Sequence, residues 1–87
     1  MDVMEKVLEM GGMQRREIVD YIISIGGEDI GDGKYVGQDW VVEIGEEKLV
    51  SIGSLIITST RVTFRCRKER LEQMVDAFRL RFLSAGG

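Results

Sequence analysis

Histidine and proline are absent from the 87 residues, and cysteine occurs once, at Cys66. Without histidine there is no His-containing zinc site and no imidazole to activate a serine or cysteine nucleophile, and one thiol forms no internal disulfide. Most common enzyme chemistries leave with those residues, so neither catalytic residues, nor a metal, nor a cofactor is expected. No apolar run approaches the roughly 18 residues of a spanning helix. The amino terminus shows no basic stretch leading into an apolar segment with a small-residue cleavage site. Cytoplasmic residence without membrane association is the expectation, in keeping with an unpaired thiol.

What is present is a globular mix, 44% hydrophobic and 31% charged, in a chain long enough for one core. The net charge of −3 conceals a polarity. Residues 1–50 carry twelve Asp/Glu against five Lys/Arg, and residues 51–87 carry three against seven, so the halves stand at −7 and +4. Such asymmetry implies internal pairing or a charged partner.

With proline missing, glycine supplies the punctuation. From Met13 to Ile25, apolar Ile18, Tyr21, Ile22 and Ile25 recur at three- and four-residue steps, which predicts an amphipathic helix stopped by Gly26-Gly27. Residues 1–12 read as an extension or weak helix, with Val3, Val7 and Leu8 inward, ahead of a single domain over 13–87. Between Asp39 and Arg67 the period falls to two. Trp40, Val42 and Ile44 alternate with Val41 and Glu43, Gly45-Glu46-Glu47-Lys48 suits a hairpin turn into Leu49–Ile52, and Leu55-Ile56-Ile57 forms a short third strand. In the fourth strand Val62, Phe64 and Cys66 share one face, and Arg61, Thr63, Arg65 and Arg67 the other. From Lys68 to Leu83 a helical stripe returns with Leu71, Met74, Val75, Phe78 and Phe82. The expected fold is a two-layer α+β domain: four antiparallel strands, with the helices at 13–25 and 68–83 on one sheet face.

Four features bear on function. Cys66 has arginines on both sides, which lowers a thiol pKa only if they share its face; alternation puts them opposite and makes Cys66 a small core hydrophobe. The segment Gly26–Gly33 gathers three carboxylates, but neither a calcium loop nor a phosphate loop fits its spacing, leaving a solvated connection. Arg61, Arg65 and Arg67 on an open sheet face suit an anionic ligand or nucleic acid. The competing reading is a solubilising face with Glu43 or Glu47 as cross-strand partners, and no aromatic stacking residues stand beside the arginines. Finally, the chain closes on Gly86-Gly87, either a helix cap, the reading the adjoining helix favours, or a thin tail.

The stretches Arg15–Ile22, Ile52–Phe64 and Phe78–Gly87 resemble the uncharacterised domain found carboxy-terminal to the sulfur-carrier domain in proteins related to the molybdopterin-synthase small subunit. The resemblance implies helix on antiparallel sheet, similar to the TATA-binding-protein type of fold, and an association with molybdenum or tungsten cofactor synthesis. The function expected is therefore a non-enzymatic accessory or protein-interaction module, docking on a protein partner or on itself as a homodimer. The alternatives are a nucleic-acid-binding domain using Arg61, Arg65 and Arg67, and a sulfur carrier acting through Gly86-Gly87.

Overall fold

A computed structural model describes residues 3–86, with side chains through Phe82. In chain order the elements are β1 (Val3–Gly11), α1 (Arg15–Ser24), β2 (Glu28–Gly31), β3 (Lys34–Val36), β4 (Trp40–Ile44), β5 (Lys48–Ile52), β6 (Leu55–Arg67) and α2 (Lys68–Gly86). The strands form one antiparallel sheet in the order β1-β6-β4-β3-β2, with β5 also paired to β6.

The sheet has six strands rather than the expected four, and it departs from that expectation in three places. First, residues 3–11 are a strand and not a weak helix. An eight-residue helix is marginal alone, whereas all nine residues of β1 find register partners on β6, from Val3 opposite Arg67 to Gly11 opposite Ser59. The inward set is Leu8 and Met10, not Val3 and Val7. Second, the acidic glycine segment is no open loop. Asp32 at φ 55° and Gly33 at φ 75° turn β2 back on β3. Gly33 closes the turn against the core, its carbonyl accepting from the Ile44 N–H at 2.8 Å.

Third, β4 and β5 do not form a hairpin with one another. Both pair with β6, β4 along residues 62–66 and β5 along 55–59. Ser59 faces Gly11 on one side and Lys48 on the other, so β4 and β5 lie end to end along the same side of β6. Gly45 holds the chain to β6 between them, its N–H donating to the Arg61 carbonyl at 2.8 Å. Arg15, the first residue of α1, fixes this crossing: its Nε donates to the Gly45 carbonyl at 2.9 Å, and its backbone N–H donates to the Glu47 carboxylate at 2.7 Å. The real hairpin is β5-Gly53-Ser54-β6, with Gly53 at φ 61°, and Leu55–Ile57 are the start of one thirteen-residue strand.

The two helices cover the sheet face that carries Trp40, Val42, Ile44, Val62, Phe64 and Cys66, all buried. The α2 stripe of Leu71, Met74, Val75, Phe78 and Phe82 is buried as its period predicts, and Ile18 and Ile22 of α1 complete the core. Tyr21 joins the helices, its ring 5.8 Å from Phe78 and 5.6 Å from Phe82. Ile25 is exposed instead of inward, because α1 ends at Ser24 and Gly26 at φ 104° turns the chain away. At the start of α1, the Gln14 N–H donates to the Glu17 carboxylate at 3.1 Å, half of a capping box.

Candidate functional site

The open sheet face is a ladder of paired charges. β1 places Glu5 opposite Arg65 and Glu9 opposite Arg61. Arg61 Nε donates to Glu9 at 2.7 Å, Arg65 Nε to Glu5 at 2.7 Å, and Arg65 Nη1 to Glu43 on β4 at 3.1 Å. Hydrogen bonding to Arg61 holds the Glu9 carboxyl below its ordinary value, and hydrogen bonding to Glu5 and then Glu43 raises the Arg65 guanidinium above its own. The sign is that of a depressed acid: the Glu9 contribution to stability is present above the ordinary carboxylate range and is lost as pH falls through the lowered value.

Arg61 and Arg65 therefore spend their charge on this chain's own carboxylates, and the acidic first half pairs with the basic second half across β1 and β6. Of the two acids proposed as partners, Glu43 takes that role and Glu47 binds the α1 backbone instead. Glu5 and Glu9 were hidden from sequence reasoning by the helical reading of residues 1–12, because Val3 with Val7 and Glu5 with Glu9 recur at a helical four-residue step and only pairing with β6 reveals the strand. Arg67 stands exposed at the end of β6, with no carboxylate in ion-pair reach among the described residues. It lies two positions beyond Arg65 on the same face, opposite Val3, and of the three arginines it alone lacks such an ion pair among the described residues.

This pairing has a measurable consequence. Arg65→Ala is expected to change stability by no more than about 1 kcal/mol, the scale of exposed ion pairs. Titration with single- and double-stranded oligonucleotides is expected to show no salt-steep binding that Arg65→Ala abolishes; such binding would restore the nucleic-acid reading.

Cys66 is 4% exposed, packed in the core with Val62 and Phe64. Burial first, and the Asp39 carboxylate second, push its thiol up from the ordinary value, the reverse of a reactive cysteine. In the native protein Cys66 is expected to react with a thiol reagent at least about a hundredfold more slowly than in denaturant, as for a buried inert thiol. Equal rates would contradict the packing.

The carboxylates of Gly26–Gly33 lie along a hairpin, and no cluster of ligating side chains fit for a metal occurs among the described residues. No helix of the described residues is long and apolar enough to cross a membrane. At the carboxy end, α2 is helical through Gly86, so Gly86 continues the helix, and Gly87 lies outside the described residues.

The surface that sequence reasoning did not isolate is the β5/β6 hairpin. Beyond Gly11, where β1 ends, it leaves the sheet as a two-stranded arm, and the molecule measures 45 × 26 × 22 Å. Val50 pairs with Ile57 and Ile52 with Leu55, so these four aliphatic side chains share one face of the arm. That face continues the charge ladder, since odd positions of β6 lie on the open side of the sheet. Ile52 is 59% and Leu55 65% exposed. The opposite face carries Leu49, Ser51, Ile56 and Thr58.

No curated protein matches the chain. A family model described as archaeal MoaD-like protein matches residues 6–87, from within β1 through α2 to the last residue. The match is consistent with the link to molybdenum-cofactor biosynthesis that the resemblance implies. Since it takes in all but the first five residues, the chain belongs to the archaeal MoaD-like protein family.

Proposed function

We propose that this protein is a non-enzymatic accessory module of molybdenum or tungsten cofactor synthesis in the cytoplasm, acting by docking to protein through its β5/β6 arm. The observation that supports this reading is where the chemistry is committed. The one thiol is buried in the core, and Arg61 and Arg65 are neutralised by Glu9, Glu5 and Glu43. The β5/β6 arm, by contrast, exposes Leu49, Ile52, Leu55 and Ile56 together, a patch of the kind that marks protein-interaction sites. Family membership supplies the cofactor setting.

The test is complementation of a cell that lacks this protein, read as the activity of a molybdenum or tungsten enzyme. The wild-type chain and Cys66→Ala are expected to restore activity, and Leu55→Lys, which places a charge on the exposed arm, to lose most of it. Full restoration by Leu55→Lys would overturn the docking reading.

Family membership also favours a second reading, a sulfur carrier at Gly87. Intact mass of the protein from native cells distinguishes it. A fraction heavier by one oxygen-to-sulfur exchange would put the carrier first, while a single unmodified mass supports the accessory role.

A further inference from the structure

We infer that the β5/β6 arm is a separate unit that opens while the core stays folded, and that Arg15 is the latch that holds it closed. The arm has no core of its own. β5 pairs with β6 alone and is exposed along its whole length, and no residue of β6 before Thr60 is buried. A two-stranded hairpin without a third strand or a covering helix is marginal in water. Segments with few buried apolar contacts and exposed backbone hydrogen bonds are the ones that open locally, at less than the free energy of global unfolding.

The sheet is interrupted at the base of the arm. On one side of β6 the ladder with β1 ends at Gly11 opposite Ser59. On the other side Gly45, Glu46 and Glu47 stand against only Thr60 and Arg61, between the pair of Ile44 with Val62 and the pair of Lys48 with Ser59. Such a one-residue excess disrupts a ladder. There the Gly45 N–H, on the Arg61 carbonyl at 2.8 Å, carries the pairing across the gap. Opening the arm therefore breaks the β5 pairs and leaves the pairs of β4 with residues 62–66, and the buried side chains behind them, in place.

What holds the base shut is the connection from β1 to α1, which grips both strands of the arm. On the β6 side, the Gly12 N–H donates to the Thr58 carbonyl at 2.8 Å, and the Thr58 hydroxyl donates to the Met13 carbonyl at 3.3 Å. On the β5 side stands Arg15. Its Nε and Nη2 donate to the Gly45 and Ile44 carbonyls at 2.9 and 3.2 Å, and its backbone N–H donates to the Glu47 carboxylate at 2.7 Å. The guanidinium reaches both carbonyls because it presents its donors as a fork, and charged donors make the stronger hydrogen bonds. Arg15 is itself held, since it opens α1, whose Ile18 and Ile22 are fully buried. The latch thus ties the base of an arm that has no core to a helix that belongs to one. This goes beyond the docking reading and does not depend on what occupies the arm.

Native-state amide hydrogen exchange of the full chain tests this. In the wild type, the amides bonded between β5 and β6 are expected to exchange at least about a hundredfold faster than those bonded between β4 and β6, as for a local opening against a global one. Ile22→Val, a core truncation, is expected to speed the β4/β6 amides about fivefold and to leave the β5/β6 amides unchanged. Arg15→Ala is expected to speed the β5/β6 amides about tenfold, the scale of a hydrogen bond to a charged group, because opening then no longer breaks the bonds of the latch. Glu47→Ala, which removes the acceptor of the Arg15 N–H from an exposed position, is expected to act in the same direction. Arm amides as slow as those of the core, or speeded by Ile22→Val as much as the core, would overturn the separate unit. Arm amides unmoved by Arg15→Ala and Glu47→Ala would overturn the latch. Exchange is read on the protein alone, so this inference fails or stands apart from the complementation by Leu55→Lys.

Discussion

Phe78→Ala is expected to cost about 3–5 kcal/mol, most of the stability available to a chain of this size. Phe78 is fully buried, and its ring is the hub of the aromatic cluster: 4.8 Å from Phe82, 5.2 Å from Phe64 and 5.8 Å from Tyr21. Those three rings come from α2, β6 and α1. One truncation therefore opens a cavity where both helices and the central strand meet. At about 4–8 °C per kcal/mol, the thermal midpoint is expected to fall by roughly 15–30 °C. Ile25→Ala is the matched control, since Ile25 is exposed beyond the end of α1 and is expected to change stability by less than about 0.5 kcal/mol. Urea denaturation of the two variants checks this. A loss below about 1 kcal/mol for Phe78→Ala would mean that the helices do not pack as described.

Gly37→Ala is expected to be nearly as damaging, by overpacking rather than by a cavity. A Cβ at Gly37 would fall 2.5 Å from Trp40 Nε1 and closer still to the ring carbons, while the Gly37 N–H donates to the Trp40 carbonyl at 2.9 Å. The indole has nowhere to go. On another side it meets Gly27, where a Cβ would lie 3.0 Å from Cη2 and 2.8 Å from Ile22 Cγ2. Trp40 is thus laid between two glycine backbones at 4% exposure, and the substitution forces the ring or β4 outward. The cost is expected at about 3 kcal/mol, the upper end for overpacking. Trp40 is the chain's one tryptophan, so its emission reports the displacement directly, with a red shift toward the solvated value in the folded variant. An unshifted spectrum with unchanged stability would show that the loop ahead of β4 yields instead.

The two helices and the inward faces of α2, β4 and β6 were legible in the amino-acid sequence because each is written in a local period. The stripe Leu71, Met74, Val75, Phe78, Phe82 and the alternation Val62, Phe64, Cys66 need no partner to be recognised, and both are buried as their periods predict. The inward position of Cys66, and with it the absence of a reactive thiol, follows from the same alternation.

Everything that depended on which strand meets which was decided by tertiary structure. β1 reads locally as a poor helix and becomes a strand only because β6 offers it a nine-residue edge. β4 and β5 read locally as a hairpin, yet both are drawn onto β6, whose thirteen residues hold two strands end to end, with Arg15 fixing the passage between them. The arginine row followed the same rule. Its residues and their shared face were determined by sequence alone, but whether they are free for a ligand depended on Glu5 and Glu9, fifty and more positions away. Period is a property of neighbours along the chain, whereas pairing across β1, β6 and β4 depends on positions that only the folded sheet brings within hydrogen-bond reach.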